Sequence, residues 1–263
     1  MSVWIVVPAR FQSSRFPGKP LVALRGASGI AKSLVQRSWE AAMAVTGADR
    51  VLVATDDDRI AEAARGFGAE VAMTPAACAN GTERVAATLD TVAGPRPEIV
   101  VNLQGDAPLT PPAFVEALIG AMRNDSAIEV ATPVLACDAE ALARFRADRA
   151  AGRVGGTLAV TDRAGRALYF SKEVIPYGAD AETVPAWHHV GVYAYTPDAL
   201  SRYVAMQPGV LEKTEGLEQL RFLEHGTALH CVPLVSGGVA FWEVNNPGDV
   251  PVVEAALSSR GID

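Results

Sequence analysis

Short apolar runs alternate with longer amphipathic stretches through the first half of the chain. Val3–Pro8 reads as a buried strand, and Ile30–Val45 as a helix with Leu34, Val35, Trp39 and Met43 at helical spacing. Arg50–Ala54 is a short strand, and Asp57–Phe67 a helix opening on acidic residues that suit the positive end of its dipole. Glu70–Met73 reads as a strand, Thr82–Val92 as a helix capped by Thr82, and Ile99–Leu103 as a fourth strand. Pro111–Met122 is a helix whose prolines fall in the first turn, where a missing N–H is tolerated. This alternation predicts an α/β fold, a mostly parallel sheet flanked by helices, with ligands gathering at the carboxyl ends of the strands. Arg10, Thr55, Asp56 and Gln104-Gly105-Asp106 all fall at such ends.

The second half changes character. Gly155–Thr161, Ala167–Phe170 and Val190–Tyr195 read as strands separated by Gly and Pro, which predicts a smaller, mixed and antiparallel-leaning lobe. Glu215–His225 and Val250–Leu257 read as helices, and Ala136–Ala151 as a helix and loop rather than a linker. No internal repeat or low-complexity tail is present.

Composition narrows the function classes. At 263 residues the chain can bury a large core, and a net charge of −7 argues against coating nucleic acid, which needs a broad cationic surface. Cys78, Cys137 and Cys231 are odd in number and widely spaced with no C-x-x-C, which argues against a disulfide framework and a structural zinc site. They read as small buried hydrophobes in a reducing compartment. No run approaches the length of a membrane span and no leader pattern is seen, so a cytoplasmic protein is expected.

The candidate chemistry begins where the first strand ends. Pro8-Ala9-Arg10 leads into a loop with Ser14, Arg15 and Lys19, stiffened by Pro17 and Pro20. Two arginines alone are usually a solvated turn. Here they follow a strand and lie among Gly and Pro, which points to a polyphosphate. Asp106, at the end of another strand, is placed to hold Mg²⁺ against such phosphates. Asn80-Gly81-Thr82-Glu83-Arg84 looks like a helix start, with Arg84 left to face either solvent or phosphates.

Taken in order, P-A-R-x-x-S-S-R-x-P-G-K-P, A-T-D-D at Ala54–Asp57, N-G-T-E-R, N-L-Q-G-D-x-P at Asn102–Pro108, A-L-Y-F-S-K at Ala167–Lys172, H-V-G-V-Y at His189–Tyr193 and L-E-Q-L-R at Leu217–Arg221 span nearly the whole chain. The set resembles the CMP-Kdo synthetases, the 3-deoxy-manno-octulosonate (Kdo) cytidylyltransferases. That resemblance implies a Rossmann-like nucleotidyltransferase fold, a homodimer, a need for Mg²⁺, and the coupling of CTP to Kdo for lipopolysaccharide or capsule synthesis. It implies one nucleotidyltransferase domain, with residues 1–135 as CTP core, 136–235 as sugar-binding and dimerisation lobe, and 236–263 returning to the core.

Carried over by position, Pro8, Ala9, Arg10, Ser14, Arg15, Lys19, Thr55, Asp56, Gly81, Thr82, Arg84 and Gln104 match the CTP site. Arg15, Lys19 and Asp106 match its catalytic groups, Asp106 and Asn245 the metal positions, and Lys172, His189, Tyr193, Glu218 and Gln219 the sugar pocket. Read alone, His189 would be a core histidine and Glu218-Gln219 an exposed helix face. No histidine is assigned as a general base.

Three departures stand out: Ala107 follows the Q-G-D aspartate in place of an acid, Asn245 replaces an aspartate, and Lys172 replaces an arginine. They leave open which acid is activated, with 8-amino-Kdo, a sialic-type sugar or a phosphonate as alternatives. A non-catalytic nucleotide-binding homologue is the alternative of another class.

Overall fold

Val3–Pro8 forms the first strand, β1, and all six of its residues are buried. An unbroken apolar run suits a strand covered on both faces. The computed structural model describes the whole chain except residues 13–14, 155 and 236–241. It divides into two units, Met1–Glu116 with Gly238–Asp263, and Ala117–Gly237.

In the first unit a 3-10 turn, Lys19–Leu21, precedes an antiparallel hairpin of β2 (Ala23–Arg25) and β3 (Ala31–Ser33). Helix α1 (Leu34–Met43) starts where the Ser33 hydroxyl accepts the Gln36 N–H. The helix expected from Ile30 thus loses its first turn to the hairpin, which buried Arg37 ties down by donating to the carbonyls of Leu24 and Ile30. The chain continues through β4 (Arg50–Thr55), α2 (Asp58–Gly66), β5 (Glu70–Met73), α3 (Gly81–Thr91), β6 (Ile99–Leu103) and α4 (Pro112–Asn124). Strands β5, β4, β1 and β6 lie side by side in that order, all parallel. The expected α/β core is present. The cap of α3 is Asn80 rather than Thr82: Asn80 Oδ1 accepts the Glu83 N–H at 2.8 Å, while Thr82, two residues on and within the first turn, is buried.

The second unit begins inside α4, at Ala117, earlier than residue 136. It contains β7 (Val130–Ala136), α5 (Ala139–Ala150), β8 (Thr157–Thr161), β9 (Ala167–Ser171), β10 (Trp187–His189), β11 (Val192–Tyr195), α6 (Pro197–Ala205), α7 (Val210–Glu215), α8 (Leu220–Glu224) and β12 (His230–Leu234). Strand β7 pairs antiparallel with β10 and β11 and parallel with β12, and β8 lies antiparallel to β10 and β9. The lobe is mixed, as expected, with two corrections. Val190–Tyr195 is not one strand, because Val190 N–H turns to the Pro133 carbonyl between β10 and β11. Glu215–His225 is not one helix, because Gly216 at φ +62° closes α7 in the left-handed region, where a side chain would be strained.

The last helix, α9 (Val250–Ser259), returns to the first unit, where Val253 and Leu257 pack with Leu24, Leu34, Leu109 and Val244. Cys137 and Cys231 are buried and free, their thiols pushed up by burial to about 11 and about 12, so they are inert hydrophobes. Cys78 departs from that expectation and is only half-buried. Among the described residues no helix is long and apolar enough to cross a membrane.

Candidate active site

The loop after β1 is held at both ends. Ala9 N–H donates to the Ala54 carbonyl at 2.8 Å, and Gly18 N–H to the Phe11 carbonyl at 3.0 Å, while the Arg59 guanidinium lies 3.3 Å from the Phe11 ring centre. Between these anchors Arg10 and Arg15 are exposed to solvent. Lys19 reaches the end of β6, its Nζ 2.6 Å from Asp106 Oδ2. Arg15 donates to Asn245 Oδ1 at 3.3 Å. Ser14 lies outside the described residues.

Asp106 is positioned by close main-chain packing. A Cβ on Gly105 would collide with the Pro8 carbonyl, so only glycine lets the two strand ends approach. The Ser38 hydroxyl donates to the Gly105 carbonyl at 3.0 Å, and the Asp106 carbonyl accepts the Val244 N–H at 2.9 Å. That last bond brings in a residue the sequence reading passed over, Glu243. Asn245 Nδ2 donates to Glu243 Oε2 at 3.5 Å. Burial, and then the charge of Asp106, push the Glu243 carboxyl up to about 7 against the opposing influence of Asn245, Lys19 and Arg15.

Asp106, Glu243 and Asn245 together offer only oxygen donors, the set a hard divalent cation takes. Among the described residues no group of three His, Cys, Asp or Glu is placed to hold a metal. A cation here would complete its shell from a ligand's phosphates, as Mg²⁺ characteristically does.

Beside this edge, Arg84 is buried rather than solvent-facing. It donates to Thr74 Oγ1 at 2.7 Å and pairs with Asp56 at 3.1 Å, so its charge positions the carboxyl end of β4. Thr55 is buried just before it. Gly81 faces the Gln104 amide: a Cβ there would lie 3.3 Å from Gln104 Oε1 and 3.6 Å from Asn102 Nδ2. Asn102 is fully buried in β6 with both amide atoms unpartnered. Sequence reading missed it as well, although an amide inside an apolar strand is a visible signal.

The sugar candidates all lie in the second unit. Glu215 accepts from Ser171 Oγ at 2.6 Å, Lys172 N–H at 3.0 Å and Tyr169 OH at 3.3 Å. Burial opposes its ionisation, but these bonds and the Lys172 charge outweigh it and hold the carboxyl below its ordinary value. The Lys172 ammonium lies against Gly216. His189 is a buried histidine: its Nε2 is 3.1 Å from Thr132 Oγ1, and its ring packs on Phe170 and Tyr193. The Thr132 hydroxyl donates to the carbonyls of Val190 and Val192, so Nε2–H is assigned as the donor to Thr132. Burial, helped by His188, lowers the His189 pKa to about 3, so it is neutral. Glu218 and Gln219 are not an exposed helix face. Glu218 is half-buried, Gln219 is buried with its Nε2 unpartnered, and the helix starts only after them.

Residues 4–229 match the family model described as cytidylyltransferase. The chain is 43% identical over 264 residues, 99% of each sequence, to a 3-deoxy-manno-octulosonate cytidylyltransferase of Maricaulis maris (strain MCS10). It is 39% identical over 257 residues, 97% of this chain and 96% of the relative, to one of Myxococcus xanthus (strain DK1622). The solved structure of CMP:2-keto-3-deoxy-manno-octonic acid synthetase complexed with CTP matches with a TM-score of 0.84 at 34% identity, covering 99% of this chain and 100% of that one.

Proposed function

The chain belongs to the cytidylyltransferase family, and from that premise we propose that it couples CTP to Kdo, giving CMP-Kdo and pyrophosphate. The observation that carries this reading is the end-to-end likeness to named Kdo cytidylyltransferases, together with the Arg15, Lys19 and Asp106 arrangement at the strand ends of the first unit.

In the proposed reaction the sugar's anomeric hydroxyl attacks the α-phosphate of CTP in line. The new O–P bond forms as the bond to pyrophosphate breaks, and the hydroxyl proton leaves to solvent. Catalysis of this kind is chiefly positioning and charge neutralisation. Arg10, Arg15 and Lys19 neutralise the triphosphate and then the departing pyrophosphate. Gln104, with Gly81 beside it, borders the nucleotide. Lys172 meets the sugar carboxylate as a point charge, and Gln219 offers it an unpartnered amide donor. His189, buried and neutral, takes no proton-transfer role. Mg²⁺ is proposed to be held by Asp106, where it would add positive charge to the phosphates and make the attacking hydroxyl more acidic.

We further propose a homodimer, as the likeness to the Kdo cytidylyltransferases suggests, and a cytoplasmic reaction, where CTP is made. The product would serve lipopolysaccharide or capsule synthesis. A pyrophosphate-release assay with CTP, Mg²⁺ and a panel of Kdo, 8-amino-Kdo, a sialic acid and a phosphonate tests the proposal. Kdo should give the highest kcat/KM, and release with another acid but not with Kdo would replace it.

A further inference from the structure

The segment around Val244 puts a carboxylate beside the amide at Asn245. Val244 N–H bonds to the Asp106 carbonyl, and the Val244 side chain is fully buried among Leu24, Leu34, Leu109, Val253 and Leu257. In extended backbone, side chains two residues apart share a face and the one between them points the other way. Glu243 and Asn245 follow that rule: with Val244 turned into the core, the two meet each other at 3.5 Å. The same face carries Arg15 on Asn245 Oδ1, and Lys19 on Asp106 Oδ2. The result is an edge of oxygen donors from Asp106, Glu243 and Asn245, opposed by two cations of the phosphate loop.

We propose that Glu243 is the second protein carboxylate toward the divalent cation that accompanies CTP, supplying from two residues upstream the negative charge that Asn245 does not carry. The inference rests on the reading that this cation lies at Asp106. An amide oxygen can approach a hard dication but leaves its charge to the other donors, and Mg²⁺ at a nucleotide site commonly draws on one or two carboxylates besides the phosphates. Two carboxylates brought together are unfavourable when both are ionised, and a dication between them removes that cost. If Glu243 served only to orient the Asn245 amide, its charge would be irrelevant, because a glutamine could accept the same hydrogen bond.

That difference makes the test. Calorimetric titration of CTP into the full-length protein at graded Mg²⁺ gives the Mg²⁺ concentration for half-maximal CTP binding, without turnover. Glu243→Gln should raise that concentration about tenfold, the lower end of what a lost supporting group does to metal affinity. Adding Asn245→Asp to Glu243→Gln should bring it back toward the wild-type value, since the carboxylate returns two residues along. An unchanged Mg²⁺ requirement in Glu243→Gln overturns the inference, as does a raised requirement that Asn245→Asp fails to restore. Asp106→Asn separates the two layers. If it raises the requirement while Glu243→Gln does not, the cation is at Asp106 and Glu243 is not its ligand. If neither variant moves it, the reading of a cation at Asp106 falls, and the inference with it.

Discussion

Lowering the pH from 7 to 5 asks whether His189 is an internal prop or a group exposed to ligand. In the folded protein it is buried, bonded to Thr132, and burial holds its pKa at about 3 against an ordinary 6.5. Below pH 6.5 the unfolded chain therefore takes up a proton at this residue that the folded chain refuses. Stability is intact above 6.5 and is lost as pH falls from there toward about 3. Each pH unit in that window is worth ~1.4 kcal/mol, so about 2 kcal/mol is gone by pH 5. His189→Gln keeps an amide donor able to reach Thr132 and removes the titration. Denaturant unfolding followed by tryptophan fluorescence should show wild type losing about 2 kcal/mol more than His189→Gln between pH 7 and 5. His188, lowered to about 4 by burial and then by Arg144, titrates in both proteins and cancels in the difference. Equal losses in the two proteins would refute the buried, neutral assignment and return His189 to the list of ligand-facing groups.

Arg15→Ala and Lys19→Ala should each lower kcat/KM by about 10²-fold or more, the scale for removing positive charge from a developing anion; near-normal steady-state rates in both would mean the loop does not hold the triphosphate. Lys172→Ala should raise KM for the sugar while leaving KM for CTP nearly unchanged, and Lys172→Arg should be milder; an equal loss for both substrates would show that Lys172 acts through folding. Arg221→Ala should cost ~3–5 kcal/mol in chemical denaturation, because it leaves the Glu212 carboxylate buried without its partner. Both bonds of that pair are 2.7 Å, and a loss under 1 kcal/mol would show that water reaches Glu212.

The parallel strands were legible because strands covered on both faces are written as unbroken apolar runs. Val3–Pro8 and Ile99–Leu103, buried at every position, coincide with β1 and β6 residue for residue; Glu70–Met73 matches β5 as well, although that strand is exposed at both ends and opens on a glutamate. Strand β7 escaped because Pro133 sits in its middle and a proline ordinarily argues against an interior strand. The chain accommodates it where β10 gives way to β11, with the Pro133 carbonyl taking the Val190 N–H. The helix expected from Glu215 starts only at Leu220, because Gly216 is the left-handed end of α7, a short helix that the sequence pattern did not reveal. At the site, Lys19 and Asp106 were legible as charges following strands, and the structure brings them into contact. Arg84 was ambiguous because an arginine in the first turn of a helix serves solvent, anion or carboxylate equally well. Only the fold places it on Asp56. Glu243 carried no local signal. Its position depends on a backbone bond to Asp106, 137 residues earlier in the chain, and on the buried Val244 that turns it outward.

Phosphorus NMR of purified protein with CTP, Mg²⁺ and Kdo tests the central claim most directly, because it sees substrate, pyrophosphate and the new phosphodiester in one sample. CMP-Kdo and pyrophosphate should appear in equal amounts as CTP disappears, and both should be absent when Kdo is omitted. CTP that stays intact with Kdo present, or that is cleaved to CMP without a sugar adduct, would contradict the assignment.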